Sequence, residues 1–466
     1  MTEQQTRTRN ILVENLLTFD RTFGDHKVSA LVGYTYQDSR YRYMQGSGQG
    51  MPTGITEIDA ASQGLAVSGN SSRSVLTSIL GRAFYSYKNR YLLTATIRRD
   101  GSSKFGSNYR YGNFPSVSVG WNIAEEDFVK NSVSWLDQLK LRGGYGVLGN
   151  QEIDNYQYVS VVTTGINYPD GKSGLIQGAF PKTFANPDIK WEETAMTNVG
   201  IDFMALRNRL TLTADWYVKN TKDILLNVPI PISTGGANDP IRNAGKIRNQ
   251  GFEFNLGWNE SLNKDLSYGV SFLGTYNKNE VVEMGAESQV ITGGTIHGGT
   301  YTSRTLAGYP IGGFWLIPTD GYFNSTEEVQ AHQKDGVLIQ PSAEPGDIRF
   351  KDTNNDGTIN DEDRVYCGSP FPKFTYSING NITYKNVDFS IGFQGVTGNK
   401  IYNATKLELT DVTRGTNYLA STLDYWTPEN QNASSPRLIW TDPNRNARSA
   451  VSYTHLRAHE TDQYLV

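Results

Sequence analysis

The sequence predicts an all-β fold, a transmembrane antiparallel β-barrel with long extracellular loops, and three observations predict it. Apolar and polar residues alternate at period two in segment after segment. Aromatic residues reach 12%, with 27 Tyr, while all apolar residues together make up only 37%. Short and long connections alternate between successive pairs of strands. Period-two alternation places one set of side chains on each face of a strand. An aromatic-rich, aliphatic-poor chain suits a barrel, which needs an apolar outer band and aromatic girdles but no dry core. Short turns on one side and long loops on the other are the pattern of outer-membrane barrels. A soluble sandwich also alternates, but has no such regularity of connections.

The elements follow in chain order. Residues 10–22 and 28–37 read as a first hairpin around Gly24-Asp25, followed by a Gly/Ser/Gln-rich loop over 38–72. Residues 73–88 and 91–99 form the next pair, turning at Asn89-Arg90, with Tyr91, Leu93, Ala95 and Ile97 on the apolar face. A Gly/Ser/Asn loop over 100–113 leads to 114–122 and then 137–147. A long connection, 148–190, precedes 191–206 and 209–218, which meet at Arg207-Asn208. Leu210, Leu212, Ala214, Trp216 and Val218 alternate there with Thr211, Thr213, Asp215 and Tyr217. Residues 219–244 hold Pro229, Pro231, Gly235, Gly236 and Pro240 and cannot be central strand throughout. Phe252, Phe254, Leu256 and Trp258 then oppose Glu253, Asn255 and Gly257, and a strand over 268–277 follows. After a loop of about residues 279–371, strands 373–384 and 387–396 turn at Lys385-Asn386. The turns at Asn89, Asn208, Lys264 and Asn386 are expected on the periplasmic side.

Net charge is −4, from 43 Lys+Arg against 47 Asp+Glu, which argues against nucleic acid as a partner. One cysteine, Cys367, forms no disulfide within the chain. No run approaches the roughly 20 apolar residues of a spanning helix. Residues 1–9 read as a truncated, disordered start and not as a signal peptide, so the chain is expected to be an internal piece of a longer protein.

Six motifs carry a family resemblance. They are FGSNYRYGNFPSVSVGW (105–121), LKLRGGYGVLGNQEI (139–153), NPDIKWEETAMTNVGIDF (186–203), NAGKIRNQGFEFNLGW (243–258), GDIRFKDTNNDGTINDEDR (346–364) and YWTPENQNASSPR (425–437). In this order they resemble the SusC/RagA-type TonB-linked outer-membrane transporters of the Bacteroidota, across residues 10 to 451. The resemblance implies a barrel of about 22 strands filled by an N-terminal plug. It implies import of oligosaccharides, or of peptides, energised through TonB–ExbB–ExbD, with a SusD-like surface lipoprotein over the mouth. It requires no cofactor and implies no enzyme activity. The chain would supply a little over half of such a barrel, and residues 452–466 read as a non-native tail resembling translated adapter sequence. Two other readings stay open: a passive porin-like channel, and a secreted glycan-binding β-protein.

One constellation has site chemistry. Residues 352–363 match the spacing of a calcium loop, with oxygens at Asp352, Asn354 and Asp356, Gly357 for the turn, Thr358 offering its carbonyl and Asp363 as the distal carboxylate. A hard cation wants such clustered oxygens. The competing reading is an Asx-rich turn that hydrogen-bonds its own backbone. Asp215, Glu253 and Asp388 read as lumen-facing wall. His297 and His332 have no partners at metal-ligand spacing, and the Gly-Gly pairs at Gly235 and Gly312 read as turns. The loop aromatics Tyr301, Tyr309, Phe314, Trp315, Tyr322 and Phe323 read as loop packing or as a surface for a lid partner, with stacking on sugar rings the alternative.

Overall fold

The computed structural model describes residues 1–446 except 161, 170, 172, 173, 182, 229–232, 234–237, 286–289, 297–299 and 416. Pro229, Pro231, Gly235, Gly236, His297 and residues 452–466 therefore lie outside the described residues. The chain divides into two units, residues 1–262 with 285–288, and residues 263–284 with 289–466. No helix among the described residues is long and apolar enough to cross a membrane, so any crossing is by strands.

The first unit holds nine long strands: β1 (Thr2–Phe23), β2 (His26–Gln49), β3 (Gln63–Tyr87), β4 (Tyr91–Ser102), β5 (Tyr111–Asn122), β6 (Leu136–Asn150), β7 (Glu192–Ala205), β8 (Leu210–Lys222) and β9 (Lys246–Ser261). Each pairs antiparallel with its neighbour in this order. The tight ends use left-handed backbone where the sequence promised turns. Gly24 takes φ +57°, Lys88 and Asn89 take +50° and +56°, and Leu206, Arg207 and Asn208 are also positive. The β5–β6 connection is longer and carries a one-turn helix, Asp127–Lys130. Behind that helix Glu126 accepts from Tyr91 Oη (2.7 Å), Trp121 Nε1 (3.0 Å) and Arg90 (3.1 Å). The Tyr91 hydroxyl, then Trp121, hold the Glu126 carboxyl below its ordinary value.

The faces follow from the register. Across six strands Leu93, Val119, Gly143, Val199, Trp216 and Phe252 share one row. Val199, Trp216 and Phe252 are 54%, 50% and 43% exposed. A continuous exposed apolar face of this kind is untenable in water and is what hydrocarbon solvates. The adjacent row, on the other face, reads Gly120, Arg142, Gly200, Asp215 and Glu253.

The second unit holds β10 (Leu266–Glu283), β11 (Phe374–Tyr384) and β12 (Val387–Thr397), again antiparallel. Lys385 at φ +52° turns β11 into β12. On β12 Val387, Phe389, Ile391 and Phe393 are all exposed, as a lipid face requires. Between β10 and β11 lies a folded head of short strands with an α-helix, Thr326–Ala331, N-capped by Ser325, and a 3-10 turn at Asp361–Asp363.

Several expectations need correction. Residues 2–9 are not disordered: they continue β1, with Thr2 opposite Ser47. Residues 38–72 are mostly strand, because β2 and β3 stay paired out to Gln49 opposite Gln63, leaving a loop of only 50–62. The expected loop over 100–113 shrinks to 103–110. The expected excursion at 279–371 begins after Glu283 and ends before Phe374. As expected, the last long strand is the one that ends at Thr397; among described residues 398–446 form short helices, turns and isolated bridges. Outside the bilayer a strand has water on both faces, so hydrogen-bond ladders continue where hydrophobic alternation has stopped.

Candidate functional site: a polar wall and a loop head

The inner wall of the first unit is organised by one guanidinium. Arg142 on β6 gives Nη1 and Nη2 to the two oxygens of Asp215 on β8, at 2.6 and 2.5 Å, and its Nε to Asp202 on β7 at 3.2 Å. The bidentate fork is the strong form of this pair. β7 runs between donor and acceptor, and Gly200 is the residue paired with both Arg142 and Asp215. A Cβ on Gly200 would lie 2.4 Å from Asp215 Oδ1 and 2.8 Å from Arg142 Cζ. Gly200 therefore makes room for the side chain to cross. Gly200→Val should break this bridge and leave Asp202 and Asp215 without their shared counter-charge. Denaturation should show a loss of about 1–3 kcal/mol, whereas Gly257→Ser, on the same wall beside Thr211, should cost less.

Above the wall, loops of the first unit share a small apolar core of Phe105, Phe114, Ile153, Ile189 and Trp191. Trp191 packs 5.0 Å from Phe105 and 5.4 Å edge-on to Phe114, and its Nε1 donates to Arg110 O at 3.2 Å. Three of the six motifs meet here, although up to 86 residues separate Phe105 from Trp191.

In the head of the second unit the motifs 346–364 and 425–437 are locked together. Arg437 clasps the fully buried Asp347 at 2.7 and 3.0 Å, and Asn446 donates to the same carboxylate at 2.8 Å. Gly346 takes φ +91° with Trp426 directly against it, a place no side chain can share.

The loop 352–363 is tightly self-bonded. Asp352 Oδ1 and Asn354 Oδ1 both accept from Asp356 N, at 3.1 and 3.0 Å, so these oxygens converge on one point. Asp356 Oδ1 accepts from the N–H and the hydroxyl of Thr358, both at 2.8 Å. Asn354, then Thr358, hold the Asp356 carboxyl down at about 2. Asp363 is fully buried and its two oxygens take Thr353 N (2.7 Å) and Asn360 N (2.8 Å), which makes it the clasp that closes the loop. Among described residues no three His, Cys, Asp or Glu are placed to hold a metal ion. Because the folded value of Asp356 lies below its unfolded one, its contribution is complete above pH ~4 and is lost as the pH falls toward 2. The protection factor of the Thr358 amide, which donates to Asp356, should be highest at neutral pH and fall across that window.

The loop aromatics sit within the head. Phe323 is fully buried against His332 (5.5 Å), and Trp315 packs on Tyr309 (4.7 Å) and Tyr366 (5.8 Å). Tyr301 donates its hydroxyl to Asp361 at 2.7 Å with Arg304 and Arg364 over its ring. A groove of about 620 Å³ runs beside it, lined by Tyr301, Gln340, Phe350, Asp361, Arg364 and Asn444. Sequence reasoning missed Arg304 and Arg364 as a pair, since nothing in a spacing of 60 residues announces one shared ring. It also gave no sign of Arg142. Asp388 sits beside Thr383, whose hydroxyl it accepts at 2.7 Å.

An apolar outer face, a polar ion-paired inner face and a folded head between strands define the wall of an outer-membrane β-barrel. The sequence matches the family described as TonB dependent receptor-like, beta-barrel, over residues 2–454, and the chain belongs to that family. It is 31% identical over 438 residues to TonB-dependent receptor P3 of Formosa agariphila, covering 92% of this chain and 42% of that protein. It is 33% identical over 340 residues to TonB-dependent receptor SusC of Bacteroides thetaiotaomicron, covering 71% of this chain and 32% of that one. The chain thus spans well under half the length of these relatives. Its fold matches the solved structure of the RagAB peptide transporter, with a TM-score of 0.82 at 22% identity, over 98% of this chain and 48% of that one.

Proposed function

We propose that the chain is the barrel portion of a SusC-type TonB-dependent importer that takes up oligosaccharides or peptides with a SusD-like lipoprotein over its mouth. The observation that carries this reading is the relationship to SusC over 71% of the chain, on a wall whose inner face is polar and ion-paired. Such a wall offers hydrogen-bonding and charged groups to a passing polar solute. In this reading the lid partner docks over the groove beside Tyr301 and Asn444, while the other loop aromatics pack the head. Energy coupling belongs to the TonB–ExbB–ExbD complex. The test is uptake of fluorescent oligosaccharides and peptides by cells carrying the receptor, with and without a proton ionophore. Uptake abolished by the ionophore supports an energised importer. Uptake that continues means a passive porin.

A structural Ca²⁺ in the loop 352–363 is part of the same proposal, held by Asp352, Asn354, Asp356 and the Thr358 carbonyl, with Asp363 bracing the loop. The clustering of the Asp352, Asn354 and Asp356 side chains on one tight turn supports it. Calorimetry should give a Kd of about 0.1–1 mM, as for extracellular modules, and Asp352→Asn should abolish the heat. No binding at millimolar Ca²⁺ removes the ion from the account.

A further inference from the structure

The outward face of β1–β3 changes character over a few residues. From the periplasmic turn it carries Phe19, Ala30 and Ala83, then Leu17, Val32 and Gly81, then Asn15, Tyr34 and Ile79, then Val13, Tyr36 and Thr77. On β2 this apolar stretch runs from Val28 to Tyr36, about the 9–11 residues that a tilted strand needs to cross hydrocarbon. The next row on the same face is Ile11, Asp38 and Val75, and the two rows after it are basic. Arg9, Arg40 and Arg73 stand side by side on three strands, and Arg7 faces Arg42 in the following row. These five side chains line a groove of about 830 Å³ together with Tyr156, whose hydroxyl meets Arg73 N at 3.2 Å.

One carboxylate organises the cluster. Asp38, its side chain only 5% exposed, accepts a bidentate fork from Arg73 (3.0 and 3.0 Å) and further bonds from Arg40 (3.1–3.3 Å). Arg40 and Arg73 remain about half exposed. The next carboxylate on this face, Glu3, stands two rows beyond Arg7. Five guanidinium groups against one carboxylate leave a strong positive excess immediately above the apolar band, beyond the rim formed by Tyr34 and Tyr36. Guanidinium groups match phosphate oxygens with paired N–H donors, and basic residues at the membrane boundary attract anionic headgroups.

We infer that this cluster is a binding site for the phosphate groups of an anionic glycolipid in the outer leaflet. The apolar rows below receive its acyl chains, and Arg7, Arg9 and Arg42 meet its headgroup while Asp38 fixes Arg40 and Arg73. The inference rests on the outer-membrane barrel reading, whose own failure would show as loss of membrane insertion and of the heat-modifiable gel shift.

The test uses the protein in neutral detergent micelles with bis-phosphorylated lipid A as the probe, counted by native mass spectrometry. The unmutated protein should retain this lipid at least about tenfold better than the same lipid stripped of phosphate, equivalent to about 1.4 kcal/mol. The triple variant Arg7→Gln, Arg9→Gln, Arg42→Gln should lose that preference with its gel shift intact. Equal retention of the two lipids by the unmutated protein would overturn the proposal without recourse to any variant. So would an unchanged preference in the triple variant, or displacement of the lipid by equimolar inorganic phosphate, which would mark a site for a free anion.

Discussion

Replacing Trp191 by Ala is expected to cost about 3–5 kcal/mol of stability, the range for removing a buried aromatic from a packed site. Trp191 is 6% exposed and joins Phe105 and Phe114 by ring contacts, with Ile153 and Ile189 in the same cluster. Truncation opens a cavity at the one apolar core shared by the β4–β5 loop, the end of β6 and the approach to β7. It also leaves Arg110 O without the indole donor. Trp135→Ala, at a 54% exposed rim position beside Phe203, should cost much less. Urea denaturation of the protein in lipid vesicles reads both. Equal costs would mean that Trp191 does not hold the loops together.

The second large effect concerns facing. Phe254→Arg, at the middle of β9, should cost about 2–4 kcal/mol, as a cation on the lipid face near the bilayer midplane does. Phe254 lies opposite Ala214 and shares its face with Phe252, 5.8 Å away. Glu253→Arg should cost far less, because Glu253 is exposed on the polar wall, where water solvates a cation. The sign of the difference matters more than either value. Reversed costs would exchange inside and outside.

Much of this fold was legible because lipid writes on sequence. The run from Leu210 to Val218 declares both its faces, and the register confirms them against Phe252 and Phe254. Turns at Gly24, Asn89, Asn208 and Lys385 were legible because left-handed backbone selects few residues. Above the bilayer that signal ends. Residues 38–49 and 63–72 look like loop because water wets both faces, yet the ladder from Asp38–Val75 to Gln49–Gln63 holds them as strand. Contacts between distant residues were not legible either. Arg142 reaches Asp215 only because Gly200 falls between them in register, a fact of pairing and not of spacing. The oxygens of Asp352, Asn354 and Asp356 were legible as a loop, whereas the inward role of Asp363 needed the fold around it.

The central claim is that the two faces of these strands see different solvents. It is tested by placing single cysteines at positions 251 to 258 of β9, with Cys367→Ser as background, and labelling each with an environment-sensitive fluorophore in vesicles. The account predicts period-two behaviour: brominated lipid quenches positions 252, 254 and 256, and an aqueous quencher reaches 253, 255 and 257. Aqueous quenching at every position, with no response to brominated lipid, would contradict it and place these strands in a water-soluble sheet.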